Sequence, residues 1–272
     1  MIIELLKILL PILYFIVVWF YGRAFFRSSK SAEKLKTPLL YLLIFFHSIY
    51  LILRTVTFSH PPITKIFEIM SVVAFSICFA YAYTELKTKV KGTGYFILVV
   101  AFFFQLISSI FITDLLVVPE ILRSNLLGFH VVSALLGFSA ITISAIYGML
   151  YLMLYHDIKS NRFGIVYKRL PNLEILERMS LTATKFGFIL LTVAIVVGFV
   201  WLPKAFETFS YADPKLIGTV FIWVLYATGL TANKIARWQG KRIVWLSILG
   251  FIVSFFSMTI VNMFFSSFHK FY

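Results

Sequence analysis

Histidine, arginine and glutamate set within long apolar runs are the residues of this chain with chemistry to offer, because hydrocarbon tolerates them only when something binds them. The five histidines are His47, His60, His130, His156 and His269, and Arg54 and Glu68 lie close to the first two in sequence. His47 and Arg54 are seven residues apart, nearly two helical turns, so both share one face with about 10 Å between them. Such a pair suits a bound anionic group with a ring system above it. The alternative is an interhelical hydrogen bond for His47 and an arginine whose head snorkels to water. His60 closes the same run ahead of Pro61-Pro62, and Glu68 stands where it would answer Arg54 or cap the connector. His130 opens a later run, followed at spacings of three and four by Ser133, Gly137, Ala140, Ser144 and Gly148. That small-residue stripe admits a second helix, the default reading, or a flat ligand. A single cysteine, Cys78, rules out an internal disulfide and any cysteine-based cluster. No nucleophile–base pair, phosphate loop or carboxylate dyad is present, so hydrolytic or phosphoryl-transfer chemistry is not expected.

The elements that must position these residues are membrane helices. Hydrophobic residues make up 61% of the 272, charged residues 13%, and mean hydropathy is +0.95, too apolar for the surface of a water-soluble domain. Apolar runs long enough to cross about 30 Å of hydrocarbon recur near 5–22, 38–58, 63–85, 93–113, 125–155, 181–202, 216–233 and 243–265. The first run lacks a strongly basic start and a small-residue cleavage site, and reads as a helix rather than a signal peptide. The fifth is too long for one straight crossing and should tilt or extend, carrying Tyr155 and His156 past the membrane. The stretch from Lys159 to Arg178 reads as a polar connector.

A net charge of +14 would suggest nucleic acid in a soluble protein. Here it sorts by loop instead. Segments 23–37, 86–92, 156–180 and 234–242 hold seventeen Lys and Arg, the opposite loops and ends only six. Basic short loops stay cytoplasmic, which puts both termini outside and agrees with an even number of spans. The basic loops are topology signals first and contacts for anionic lipid second. The expectation is an all-α polytopic protein of about eight transmembrane helices, residues 1–272 forming one transmembrane domain. It should lie in a bacterial inner membrane, with the bilayer as partner and no nucleic acid.

This topology gathers His60, His130 and His269 at the outer face and leaves His156 on the other. Zinc would call for more carboxylate or cysteine at compact spacing. Two histidines from different helices between aromatic and aliphatic walls fit haem iron better. Arg54, Arg123, Lys204 and Lys215 are candidates for the two propionates. His47 and His60 are thirteen residues apart, about 20 Å along one continuous helix, and cannot share an iron. His130 with His269 is the first choice of axial pair.

Four stretches together carry a family resemblance: His47 to Arg54 with His60-Pro61-Pro62-Ile63-Thr64 and Phe67-Glu68; Phe129-His130-Val131-Val132 running to Tyr147–Leu152; Gly198-Phe199-Val200-Trp201 with Asp213-Pro214-Lys215 and Trp223–Tyr226; and Val261-Asn262 with His269. In order and spacing they resemble the haem-handling membrane proteins of cytochrome c assembly, the CcsA/HemX group, over essentially the full chain. The resemblance implies that His130 and His269 match two external histidines that hold haem b from either side of an outer loop. It also implies that this loop ends in an Asp-Pro pair, here Asp213-Pro214. His47 with Arg54 would mark a deeper site or a passage for the propionates, and His60 would serve either. The synthetase members carry a tryptophan-rich outer segment, which here reads Phe209-Ser210-Tyr211-Ala212-Asp213-Pro214-Lys215. They also carry a further histidine in the next span, where Gly229 and Leu230 stand. Both departures point to the HemX-like branch, linked to tetrapyrrole synthesis. The implied function is to carry or present haem at the outer face rather than to catalyse. Its implied partners are a second cytochrome c assembly membrane protein with apocytochrome c, or a tetrapyrrole-pathway enzyme. A haem-sensing regulator, a quinone-linked b-type cytochrome and a haem-free transporter remain the alternatives.

Overall fold

The computed structural model describes residues 2–88, 90, 92–114, 124–205 and 212–257. They form α1 (Ile2–Arg27), α2 (Lys30–Phe58), α3 (Ile66–Thr88), α4 (Gly94–Phe111), α5 (Asn125–Lys159), the short α6 (Ile165–Arg169), α7 (Leu173–Ala205), α8 (Pro214–Ile235) and α9 (Lys241–Phe256). No strand occurs among the described residues. Seven of these helices, α1 to α5, α7 and α8, contain windows long and apolar enough to cross a membrane. The protein is therefore all-α and multi-pass. α9 has 16 residues; residues 258–265 of the eighth span expected at 243–265 lie outside the described residues.

α1, α2, α5, α7 and α8 overshoot their hydropathy runs, because hydropathy marks the hydrocarbon slab whereas helices stop at caps; α4 falls within its run, and α3 starts three residues into its own. Ser28, with φ of 54°, turns the chain between α1 and α2, and the Ser29 hydroxyl caps α2 by accepting from Ala32 N. Ser59 ends α2 in the left-handed region, φ 57°. The connector expected from Lys159 to Arg178 is shorter than that. Asn172 Oδ1 accepts from Ile175 N at 2.9 Å and starts α7 there, so Glu174 and Glu177 lie on a helix. Glu177 in turn accepts from Gly240 N ahead of α9, at 2.8 Å.

The chain divides into two compact units, residues 1–118 with 157–171, and residues 119–156 with 172–272. In the first, α1 packs on α2 and α4, and α3 on α2 and α4, a closed ring of four helices. Gly94 makes the start of α4 fit, since a Cβ there would collide with the Tyr81 hydroxyl and lie 2.6 Å from the Tyr21 ring. In the second unit α7, α8 and α9 pack mutually, and α5 joins them along the small-residue stripe. A Cβ on Gly137 would lie 3.2 Å from Leu191 N of α7, and one on Gly148 would lie 3.2 Å from Ile248 of α9. The stripe thus serves helix packing.

Candidate functional site

The first unit stacks three polar layers, each tied across helices. At one end Arg54 on α2, 1% exposed, gives Nη2 to Glu68 Oε1 at 2.9 Å and Nη1 to Asp114 Oδ1 at 3.0 Å. Its guanidinium also lies 4.9 Å from the Phe58 ring centre. Glu68 does both things open to it in sequence. Beside the ion pair, its Oε2 accepts from Thr64 N, Thr64 Oγ1 and Lys65 N at the start of α3. In mid-bundle, His47 is fully buried. Its Nδ1 meets Tyr14 Oη of α1 at 2.9 Å, and its Nε2 meets Ser71 Oγ of α3 at 3.0 Å. Ser71 donates to Gln105 Oε1 of α4 at 2.8 Å. Ser71 spends its hydrogen on Gln105, so it accepts from Nε2–H; on a neutral ring Tyr14 then donates to Nδ1. One chain of hydrogen bonds thus joins all four helices. At the far end the buried Glu85 carboxylate accepts from Tyr21 at 2.8 Å, Tyr81 at 2.6 Å and Thr37 at 2.5 Å.

These layers fix the register of four antiparallel helices. They also occupy both nitrogens of His47 and two arms of the Arg54 guanidinium. His60, just past α2 and 4% exposed, places Nδ1 at 2.9 Å from the Pro61 carbonyl. Because a carbonyl only accepts, that nitrogen carries the hydrogen.

The second unit holds His130 differently. On α5 and partly buried, it gives Nδ1–H to the Ala194 carbonyl of α7 at 2.7 Å. This is how a metal-ligating histidine is commonly oriented: the backbone bond sets the tautomer, with the lone pair on Nε2. One turn on, Gly198 faces the ring. A Cβ there would lie 2.9 Å from both Cε1 and Nδ1 of His130, so only glycine leaves the ring its place. Around this end of the unit Leu127, Trp201 and Leu202 form an apolar cluster with Val131 and Leu216 against it. Asp213 is buried, and its carbonyl accepts from Ile217 N at 3.1 Å, the N-cap position ahead of Pro214 in α8.

His269, Arg123, Phe209 and Tyr211 lie outside the described residues, as does Asn262. His156 is exposed at the other end of α5. Gly229, where the family's further histidine would stand, faces the Leu246 side chain of α9. No group of three or more His, Cys, Asp or Glu gathers as a metal site among the described residues. His130 and Asp213 fall in one unit, His47, Arg54 and His60 in the other. Sequence reasoning missed the Ala194–Gly198 seat, the Glu85 cluster, and the hydroxyl cluster of Ser144, Ser180, Thr184 and Ser247 in the second unit. Gln105 had a signal, as the only amide within α4. A backbone carbonyl such as that of Ala194 leaves none.

A family model described as "Cytochrome C assembly protein" matches residues 35–269. The "Cytochrome c biogenesis protein CcsA" of Guillardia theta is 28% identical over 220 residues, covering 74% of this chain and 73% of that protein. The protein of the same name from Porphyra purpurea is 26% identical over 232 residues, 71% of this chain and 72% of its own length. "Protein HemX" of Bacillus subtilis (strain 168) is 29% identical over 120 residues, 44% of each chain.

Proposed function

The chain belongs to the cytochrome c assembly protein family, and from that membership we propose that it binds haem b through His130 and His269 and carries or presents it at the outer membrane face. A role in cytochrome c assembly is supported by the relatives named for cytochrome c biogenesis. The observation that carries the haem reading is the seat of His130, an imidazole held by the Ala194 carbonyl and lodged against Gly198. The donor chemistry fits haem iron on this side of the site, since the nitrogen pointed away from the carbonyl is the one that ligates. The apolar cluster of Leu127, Trp201 and Leu202 supplies the kind of wall a porphyrin face needs. His269 would supply the second ligand, and Arg123, Lys204 and Lys215 charges for the propionates. Haem held this way would be a low-spin, bis-imidazole centre. Asp213 would hold the start of α8, and with it the loop between α7 and α8. His47 and Arg54, already engaged by protein groups, support a framework role in the first unit. Both termini outside the membrane complete the reading, which reporter fusions at either end would test.

The test is an absorption spectrum of the purified protein, oxidised and dithionite-reduced, beside His130→Ala, His269→Ala and the double variant. Sharp reduced bands of haem b that collapse in the variants are expected. A colourless wild-type protein that takes up no added haemin sinks the proposal, as does a double variant with undiminished haem.

The likeness to HemX and the missing tryptophans favour a second reading, a haem-responsive regulator of tetrapyrrole synthesis. It requires a pathway enzyme to co-purify in a haem-dependent way, whereas the first requires apocytochrome c or a second assembly protein.

A further inference from the structure

Between the start of α4 and the last turns of α1 lies a groove of about 300 Å³ that neither the haem site nor the polar layers use. It belongs wholly to the first unit. Its lining is largely aromatic, with Phe15, Trp19 and Phe26 of α1 and Tyr95 of α4, and Gly22 among them. Tyr95 packs edge-on against Phe26, ring centres 5.1 Å apart, and a Cβ on Gly22 would come within 3.1 Å of the Tyr95 ring. Phe15, Trp19 and Phe26 are more than 40% exposed, as are Ile8 and Ile12 on the same helix. This side of α1 is open apolar surface on a helix long and apolar enough to cross a membrane.

Arg23 and Arg27 line the end of the groove, one turn apart and both exposed. Neither has a salt-bridge partner among the described residues, in contrast to Lys7, Lys36 and Arg54. Two arginines one turn apart, about 6 Å along the helix axis, carry forked donors of the kind that suit a phosphate group. Tryptophan and tyrosine beside them are the residues that settle at the membrane–water boundary.

We propose that this groove is a binding site for an anionic phospholipid, the headgroup phosphate held by Arg23 and Arg27 and an acyl chain laid along Phe15 and Trp19. Charge complementarity chooses the occupant. A zwitterionic lipid offers the arginines a phosphate already paired with its own cation, while an anionic lipid leaves its charge for them. The chain around the site is basic as well, with Lys30 and Lys34 following at once. Bound lipid would brace α1 against α4.

Trp19 makes the site its own reporter. The full-length protein is placed in nanodiscs of phosphatidylcholine containing a minor fraction of dibrominated phosphatidylglycerol, and tryptophan quenching is compared with that by dibrominated phosphatidylcholine at the same fraction. Excess quenching by the anionic lipid is expected in the wild type. In Arg23→Gln/Arg27→Gln its relative association should fall by about 30-fold, each arginine near the surface contributing about fivefold. Trp19→Phe should remove the excess while leaving quenching of the other four tryptophans. Equal quenching by the two brominated lipids in the wild type overturns the proposal. So does an excess that survives either variant, which would place the lipid elsewhere.

Discussion

Gly198→Ala tests the proposed haem seat through a single carbon. The new Cβ would lie 2.9 Å from two atoms of the His130 ring, whereas ordinary contact begins near 3.4 Å. The ring must therefore retreat by about half an ångström or more, against rotamer costs of roughly 0.5–1.5 kcal/mol. Gly198 and Ala194 lie one turn apart on the same face of α7, so a ring pushed off one also leaves the other. The 2.7 Å bond from Nδ1 to the Ala194 carbonyl would lengthen or break, at a further cost of about 0.5–1.5 kcal/mol. Together these predict haem binding weaker by about 5- to 150-fold, from roughly 1–3 kcal/mol. The control is Gly128→Ala, on α5 near His130, where a Cβ meets nothing within 4 Å. Both variants gain the same helix propensity, about 1 kcal/mol, so their difference isolates the seat. The assay is haemin titration of purified protein followed in the Soret band, with thermal unfolding to verify the fold. A folded Gly198→Ala protein that binds haem as tightly as wild type would refute the idea that His130 ligates from this position.

His47→Ala should leave haem content per folded protein unchanged and lower thermal stability, since it takes the partner from the buried Tyr14 hydroxyl, at about 1–3 kcal/mol, while Ser71 keeps Gln105; loss of haem with stability intact would instead give His47 a ligand role. Arg54→Met should destabilise by about 3–5 kcal/mol by leaving the Glu68 carboxylate buried without its cation. Adding Glu68→Gln should return part of that loss in a double-mutant cycle, and additive losses would show that the pair is not coupled. Ser247→Ala should cost only about 0.5–1.5 kcal/mol, because Ser144, Ser180 and Thr184 still hydrogen-bond one another; denaturant or thermal titration in detergent measures it, and a loss several times larger would mean that Ser247 anchors α9.

What the chain reveals by itself is governed by a one-dimensional constraint. A helix that crosses hydrocarbon needs about 20 consecutive apolar residues wherever it sits in the fold, so the spans are legible without knowing any neighbour. Seven candidate spans occur among the described residues, and Arg54 with Glu68 form the ion pair their positions allowed. What surrounds His47 and His130 was not legible, because both are single histidines in apolar runs. Only their neighbours separate them. Tyr14, Ser71 and Gln105 come from three other helices to close around His47. At His130 the Ala194 carbonyl takes the Nδ1 hydrogen and the bare Cα of Gly198 leaves the ring its space. The same holds for the α7 start, where a side-chain cap on Asn172 extends the helix into residues whose polarity reads as connector. Hydropathy is a property of each residue and its near neighbours in sequence, whereas a histidine's chemistry depends on which of its nitrogens is already bound, and residues tens of positions away decide that.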